Sequence, residues 1–95
     1  MGFLGYNFVD IRYTEVYGLG RTFPPGRYAI HLHHMHHYGQ WVNIIGNSVW
    51  NSDSVGIRIH QTDFALFKDN VIYDTFGYAI GTEDGNENGN ILDHN

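Results

Sequence analysis

Two strand-like segments recur in the same order along this chain, and that repetition restricts the fold more than any other feature. The first reads YAIHLH at 28–33, VGIRIH at 55–60 and YAIGTE at 78–83, so its copies start 27 and then 23 residues apart. The second reads NSVWNS at 47–52 and NVIYDT at 70–75, again 23 apart. NILDHN at 90–95 aligns as a third copy 20 residues on, and TEVYGL at 14–19 as a weaker earlier one. Ile30, Ile57 and Ile80 fall in one column, and Leu32, Ile59 and Thr82 in the next. Apolar and polar residues alternate in these runs and in Val9-Asp10-Ile11-Arg12-Tyr13, which is the pattern of a half-buried strand. Helical periodicity is poor, and Gly, Asn, Asp and β-branched residues favour short strands and turns. Two strands in a period of 20–27 residues match one coil of a parallel β-helix, whose equivalent residues stack about 4.8 Å apart. The expected fold is therefore all-β: a right-handed single-stranded parallel β-helix of about three to four coils, with residues 1–95 as one repeat region. An antiparallel sandwich accounts for the alternation but not for ordered repetition, because hairpins reverse direction. A leucine-rich repeat needs a leucine pattern absent here.

One coil cannot bury its apolar face alone, so such folds need several stacked units. The chain stops at Asp93-His94-Asn95, in the middle of the pattern. It reads as a piece of a longer protein whose neighbouring coils are its partners. Asn47, Asn70 and Asn90 recur with the coil. Turn chemistry alone also places asparagine in such positions, but recurrence at the coil period favours an inward amide ladder. The formal charge of −5, with 16% charged residues, argues against a nucleic-acid partner, which demands a dense basic surface. The absence of cysteine rules out disulfides and thiolate zinc sites. No apolar run approaches the roughly 20 residues of a membrane helix, and MGFLGYNFVDIRY lacks the basic start and apolar core of a signal peptide.

Seven histidines outnumber the five Lys plus Arg, and five of them fall in HLHHMHH, 31–37. Side chains alternate across a strand. If Ile30 and Leu32 point inward, His31 and His33 point outward, as do Arg58, His60 and Glu83 from later coils. Two outer columns follow: His31, Arg58, Gly81 and His33, His60, Glu83. Two imidazoles one strand spacing apart resist double protonation, while Glu83 pulls the other way, so the pair supplies a proton donor and an acceptor. Gly81 would leave room beside Arg58 for a substrate. Arg58 and Arg27 suit a carboxylate or sulfate. Two histidines and a carboxylate also suit a divalent metal. A solvated polar face accounts for any one of these histidines, but not for the coincidence across three coils.

His34, His36 and His37 are expected in the connection after the strand, as a solvated loop. In TEDGNENGN, 82–90, Asp84 and Glu87 offer hard oxygen ligands for Ca²⁺, although the spacing is not that of an EF-hand, and an acidic Asx-type turn is the favoured account of them. Glu83 and Asp84 make a poor two-carboxylate glycosidase pair, because neighbours in a strand face opposite ways. Trp50 and Tyr73 align across coils and are expected to stack. Exposed aromatics of this kind suit a sugar ring, and core packing accounts for them as well.

GRYAIHLHHM (26–35), GIRIHQT (56–62), NVIYDTFGYA (70–79) and TEDGNENGN (82–90) occur in that order. Over residues 8–95 the chain resembles the parallel β-helix region that follows the G8 domain in cell-surface hyaluronidases and fibrocystin-like proteins. The resemblance implies an extracellular or cell-surface β-helix and, in its hyaluronan-degrading members, an acidic polysaccharide substrate and a calcium requirement. The matching positions are Arg27, His31, His33, His60, Glu83, Asp84 and Glu87. Gly77-Tyr78 stands where the family commonly has Gly-His, and His60-Gln61 where it often has His-Gly. The expected function is a carbohydrate-active or glycan-binding β-helix, a hydrolase or lyase if it is an enzyme. His33 and His60 would exchange protons, Glu83 would orient His60, Arg58 would act beside them, and Arg27 and His31 would bind substrate. The competing expectation is a non-catalytic adhesion or structural module.

Overall fold

The alternating apolar residues become the inward rungs of three parallel sheets. A computed structural model describes residues 1–5 and 8–95. The first sheet contains β1 (Gly2–Leu4), β4 (Ile30–His36), β7 (Ile57–Thr62) and β10 (Ile80–Thr82), in that spatial order. The second contains β2 (Val9–Arg12), β5 (Val42–Ile45), β8 (Leu66–Lys68) and β11 (Ile91–Asp93). The third contains β3 (Glu15–Tyr17), β6 (Ser48–Ser52) and β9 (Val71–Thr75). Every pairing is parallel. The chain visits the three sheets in turn, which makes a β-solenoid of about three turns. A single 3₁₀ turn, His37–Trp41, is the only helical element among the described residues, and none there is long and apolar enough to cross a membrane.

The repeat alignment holds where it was based on alternation. Ile30 pairs with Ile57 and Ile57 with Ile80; Leu32 pairs with Ile59 and Ile59 with Thr82. The weak copy at 14–19 is genuine, since Val16 pairs with Val49 and Tyr17 with Trp50. Ile30, Leu32, Val42, Ile44, Val49, Ile57, Ile59 and Phe67 are fully enclosed. Each such side chain contributes about 1.5–3 kcal/mol.

Two expectations need correction. Each full coil has three strands, not two; β5 and β8 lie outside the two repeated segments. The segment 90–95 is also out of frame with 47–52 and 70–75. Its strand β11 pairs with β8, placing Ile91 opposite Leu66. The amide ladder therefore runs Asn47–Asn70–Asn95. Asn47 Nδ2 donates to Asn70 Oδ1 at 3.1 Å, and Asn70 Nδ2 to Asn95 Oδ1 at 2.7 Å. Each Oδ1 also accepts a backbone N–H from one coil away, at Thr14, Asn47 and Asn70 respectively. Asn90 serves a different corner, where its Oδ1 accepts from the Ala65 N–H and its Nδ2 donates to the Thr62 carbonyl.

On the third sheet Tyr17, Trp50 and Tyr73 stack with ring centres 5.1 and 5.9 Å apart. Trp50 Nε1 donates to Glu15 Oε1 at 2.9 Å. The rings stack on one another, so the faces of Trp50 are already covered.

Candidate functional site

The outer side of the first sheet carries the site. In β4, Ile30 and Leu32 point inward, and the next inward residue is Met35, three positions on. The ladder shifts between His33 and His36, and His34 and His36 have positive φ. This bulge interrupts the alternation and brings His34 to the same side as His33. The neighbouring β7 shows the same step from Ile59 to Thr62, and the Thr62 hydroxyl accepts from the Met35 N–H.

Strand register then sets the column. His31 lies opposite Arg58, and His33 opposite His60. The Glu83 N–H donates to the Ile59 carbonyl, which holds Glu83 beside His60. Ring centres of His33 and His60 are 4.9 Å apart, and those of His31 and His33 are 5.0 Å apart. His31 and His60 lie parallel at 6.1 Å. One ring nitrogen from each of these three histidines lies within 4.8 Å of the other two.

Carboxylates flank the cluster. Glu83 Oε2 is 3.5 Å from His60 Nδ1 and 3.3 Å from Arg58 Nε, while Asp84 Oδ2 is 3.3 Å from His60 Nε2. The Gln61 amide donates to Asp84 at 3.0 Å. The Arg58 guanidinium also sits over the Tyr28 ring at 5.2 Å. Arg27 is different. It is exposed and has no ion pair or side-chain hydrogen bond among the described residues. It lines a cleft of about 390 Å³ together with Pro25, Gly26, His31 and His33.

Burial pushes the His31 imidazole down to about 4, with His33 and His60 adding to the shift and Glu83 and the Gly26 backbone opposing it. His33 is lowered too, by burial first and then by His34 and His60, with Glu83 opposing. Both rings are therefore neutral at pH 7 and present lone pairs rather than charge.

The expected column residues His33, Arg58, His60 and Glu83 meet as the alignment required. Four expectations change. His31 lies on the outer side of the sheet but is only 8% exposed, because Tyr28 packs edge-on against its ring at 4.9 Å. Its Nε2 is buried without a hydrogen-bond partner among the described residues. His34 and His36 belong to β4 rather than to a loop, and the His34 ring approaches His33 at 4.1 Å and His60 at 4.6 Å. Gly81 leaves no open notch, since a Cβ there would meet the Tyr78 ring at 3.3 Å and the Arg58 guanidinium at 3.5 Å. Asp84 joins Glu83 beside His60, because β10 ends at Thr82 and strand alternation no longer separates them. His34 is the residue that sequence reasoning missed, and Asp84 is one it placed in a different role. The three-residue step from Leu32 to Met35 is the signal for His34.

Glu87, expected with Asp84 as a calcium ligand, is held inside its own turn. Glu87 Oε1 accepts N–H groups from Gln61, Glu83 and Asp84, and its Oε2 accepts one from Gly85. Burial alone would push this carboxyl up, but backbone N–H groups bring it down to about 2. A carboxylate at the convergence of four N–H dipoles is an internal anion of the turn, and those dipoles oppose a cation.

The CEMIP beta-helix family model matches residues 1–95. Fibrocystin-L of Mus musculus is 40% identical over 85 residues, covering 90% of this chain and 2% of its own length. Cell surface hyaluronidase CEMIP2 of Homo sapiens is 33% identical over 93 residues, 92% of this chain and 7% of its own. Cell surface hyaluronidase of Danio rerio is 31% identical, with the same coverage. The chain thus spans a small fraction of these relatives. No solved structure matches it.

Proposed function

This chain belongs to the CEMIP β-helix family, and on that premise we propose that the outer face of its first sheet is a site for an acidic polysaccharide. The observation that carries the reading is Arg27. It is an exposed cation with no ion pair among the described residues, at the rim of a cleft that the neutral imidazoles of His31 and His33 help to line. A guanidinium of this kind takes a sugar carboxylate through paired N–H donors. Arg58 is already held by Glu83 and Tyr28, so it contributes less to capture and more to the electrostatics of the cluster. The chemistry open to the side chains alone is proton exchange. His33 offers a lone pair, and His60 lies between two carboxylates that orient it. Relatives that carry the name cell surface hyaluronidase support both the substrate class and an extracellular or cell-surface location. The exposed Val71, Ile91 and Leu92 suit a further coil stacked on them.

One observation favours a non-catalytic module instead. Arg58, Glu83, His60 and Asp84 are already paired with one another, as in a structural network that binds glycan without cleaving it. The two readings separate by titrating hyaluronan oligosaccharides and a neutral chitin oligosaccharide, with product assayed alongside. The expectation is a preference for the acidic sugar that Arg27→Ala weakens by roughly tenfold, the effect of losing one charge-assisted hydrogen bond. Turnover lost in His33→Ala and His60→Ala with binding retained identifies an enzyme. Equal affinity for the neutral sugar, indifferent to Arg27, overturns the polysaccharide reading.

A further inference from the structure

We infer that His31, His33 and His60 form a binding site for a divalent first-row transition metal of the zinc class. The site uses the same cluster as the polysaccharide reading, but does not depend on a sugar being bound.

Three observations support it. The first is placement. His31 and His33 share one outer face of β4, and register sets His60 opposite His33, so three nitrogens from two coils lie within 4.8 Å of one another. A tetrahedral ion about 2.0–2.1 Å from each ligand holds them about 3.3 Å apart. Side-chain rotation covers that difference, since the strands are already in register.

The second is the state of His31. It is only 8% exposed, and its Nε2 has no hydrogen-bond partner among the described residues. A buried imidazole nitrogen left unpaired is destabilising, and a metal–nitrogen bond removes that cost.

The third is what surrounds His60. Glu83 and Asp84 each approach one of its nitrogens. When one nitrogen turns to a metal, the other keeps its carboxylate, and that contact fixes the ring and raises its basicity. The donor set is all imidazole, which suits zinc, copper, nickel or iron and not calcium or magnesium. Three protein ligands leave a fourth position for water or a substrate oxygen. In the metal-bound state His33 and His60 are ligands rather than proton carriers, and the carboxylate of an acidic sugar would meet the ion.

The test uses the full chain without a polyhistidine tag, stripped with chelator and titrated with zinc sulfate by calorimetry and with cobalt(II) by visible absorption. The expected result is one ion per chain and the absorption of a tetrahedral cobalt site. His33→Ala and His60→Ala should each weaken binding at least tenfold, and Glu83→Gln should do so by roughly tenfold through His60. His36→Ala and His37→Ala, at exposed positions outside the triad, should leave it unchanged. Circular dichroism identifies any variant that fails to fold, and His33→Ala and His60→Ala decide the matter if buried His31→Ala does not. Binding that survives His60→Ala, or that disappears with His36→Ala and His37→Ala, assigns the metal to the histidine run and overturns the site. No sugar is present, so failure here leaves the Arg27 titration to judge the polysaccharide reading separately.

Discussion

Replacing Asn70 with alanine should remove a large part of the stability of the solenoid. Asn70 is 1% exposed. Its Oδ1 accepts both the Asn47 backbone N–H and the Asn47 Nδ2, and its Nδ2 donates to the Ile44 carbonyl and to Asn95 Oδ1. Alanine leaves the Asn47 N–H buried with no acceptor, at a cost of about 1–3 kcal/mol. The other three hydrogen bonds contribute about 0.5–1.5 kcal/mol each. Asn47 Nδ2 and Asn95 Oδ1 keep their bonds to the Ile11 carbonyl and the Asn70 N–H, which places the sum near the lower half of its range, about 3–5 kcal/mol. Whole domains are stable by only about 5–15 kcal/mol. Urea unfolding measures the loss. With a slope of about 1–3 kcal/mol per molar, the midpoint should fall by at least about 1 M. Asn90→Ala, which loses two bonds at a partly exposed corner, should cost clearly less. A midpoint that moves by under about 0.5 M at unchanged slope, or an Asn90→Ala variant as unstable as Asn70→Ala, would refute the ladder as the main strut of that corner.

Three further outcomes follow from individual residues. Glu87 has its folded pKa depressed to about 2 from an ordinary 4.5, so its contribution is complete above about pH 4.5 and is lost as pH falls toward 2. Glu87→Gln should therefore cost about 1–2 kcal/mol at pH 7, after discounting for solvent screening, and the two stability curves should converge in acid; curves that stay parallel count against it. Gly39 lies against the Asp63 carbonyl, where a Cβ has no room, whereas Gly2 has nothing near it. Gly39→Ala should lower the melting temperature by an amount equivalent to about 1–3 kcal/mol while Gly2→Ala barely moves it, and equal melting temperatures would contradict that packing. His31→Phe should leave the metal-free chain as stable as the parent or more so, because an apolar ring replaces an unsatisfied one, while abolishing zinc binding. A thermal melt in chelator, paired with calorimetry, tests both halves.

The first sheet was legible because its residues say two things at once. In VGIRIH, alternation gives the inward set, and repetition against YAIHLH and YAIGTE gives the register. The second sheet was less legible: Val9–Arg12 alternates, but Val42–Ile45 and Leu66–Lys68 are short and lie outside the two repeated segments. Asn95 was hidden because the last coil is longer than the spacing of look-alike asparagines suggests: its partner Asn70 is 25 residues away, not 20. His34 was hidden by a backbone event, a positive φ on a bulky residue, which composition does not announce. The burial of His31 depends on where Tyr28 turns, and the position of Asp84 on where β10 stops. Both are tertiary outcomes that local patterning does not encode.

Parallel stacking imposes a condition on any polar column, because equivalent side chains sit about 4.8 Å apart whatever their charge. A column of lysines would repel itself along its length. Arg58 avoids this by pairing across coils with Glu83, and His60 sits between the carboxylates of Glu83 and Asp84. His31 and His33 avoid it by staying neutral. The same neutrality determines what the cluster can do. A neutral imidazole does not attract a polyanion, so under the proposed function capture of an acidic sugar would fall to Arg27, and the imidazoles are left with lone pairs to offer to a proton or to a metal ion. A proton taken up by His33 must be returned at each turnover, and burial lowers the affinity of that ring for it. A metal ion shared by three rings removes the unpaired nitrogen of His31, which proton exchange between His33 and His60 leaves untouched. That difference is why His31, the member farthest from solvent, is the residue on which the two chemistries make opposite demands. A proton-transfer site should tolerate phenylalanine there, and a metal site should not.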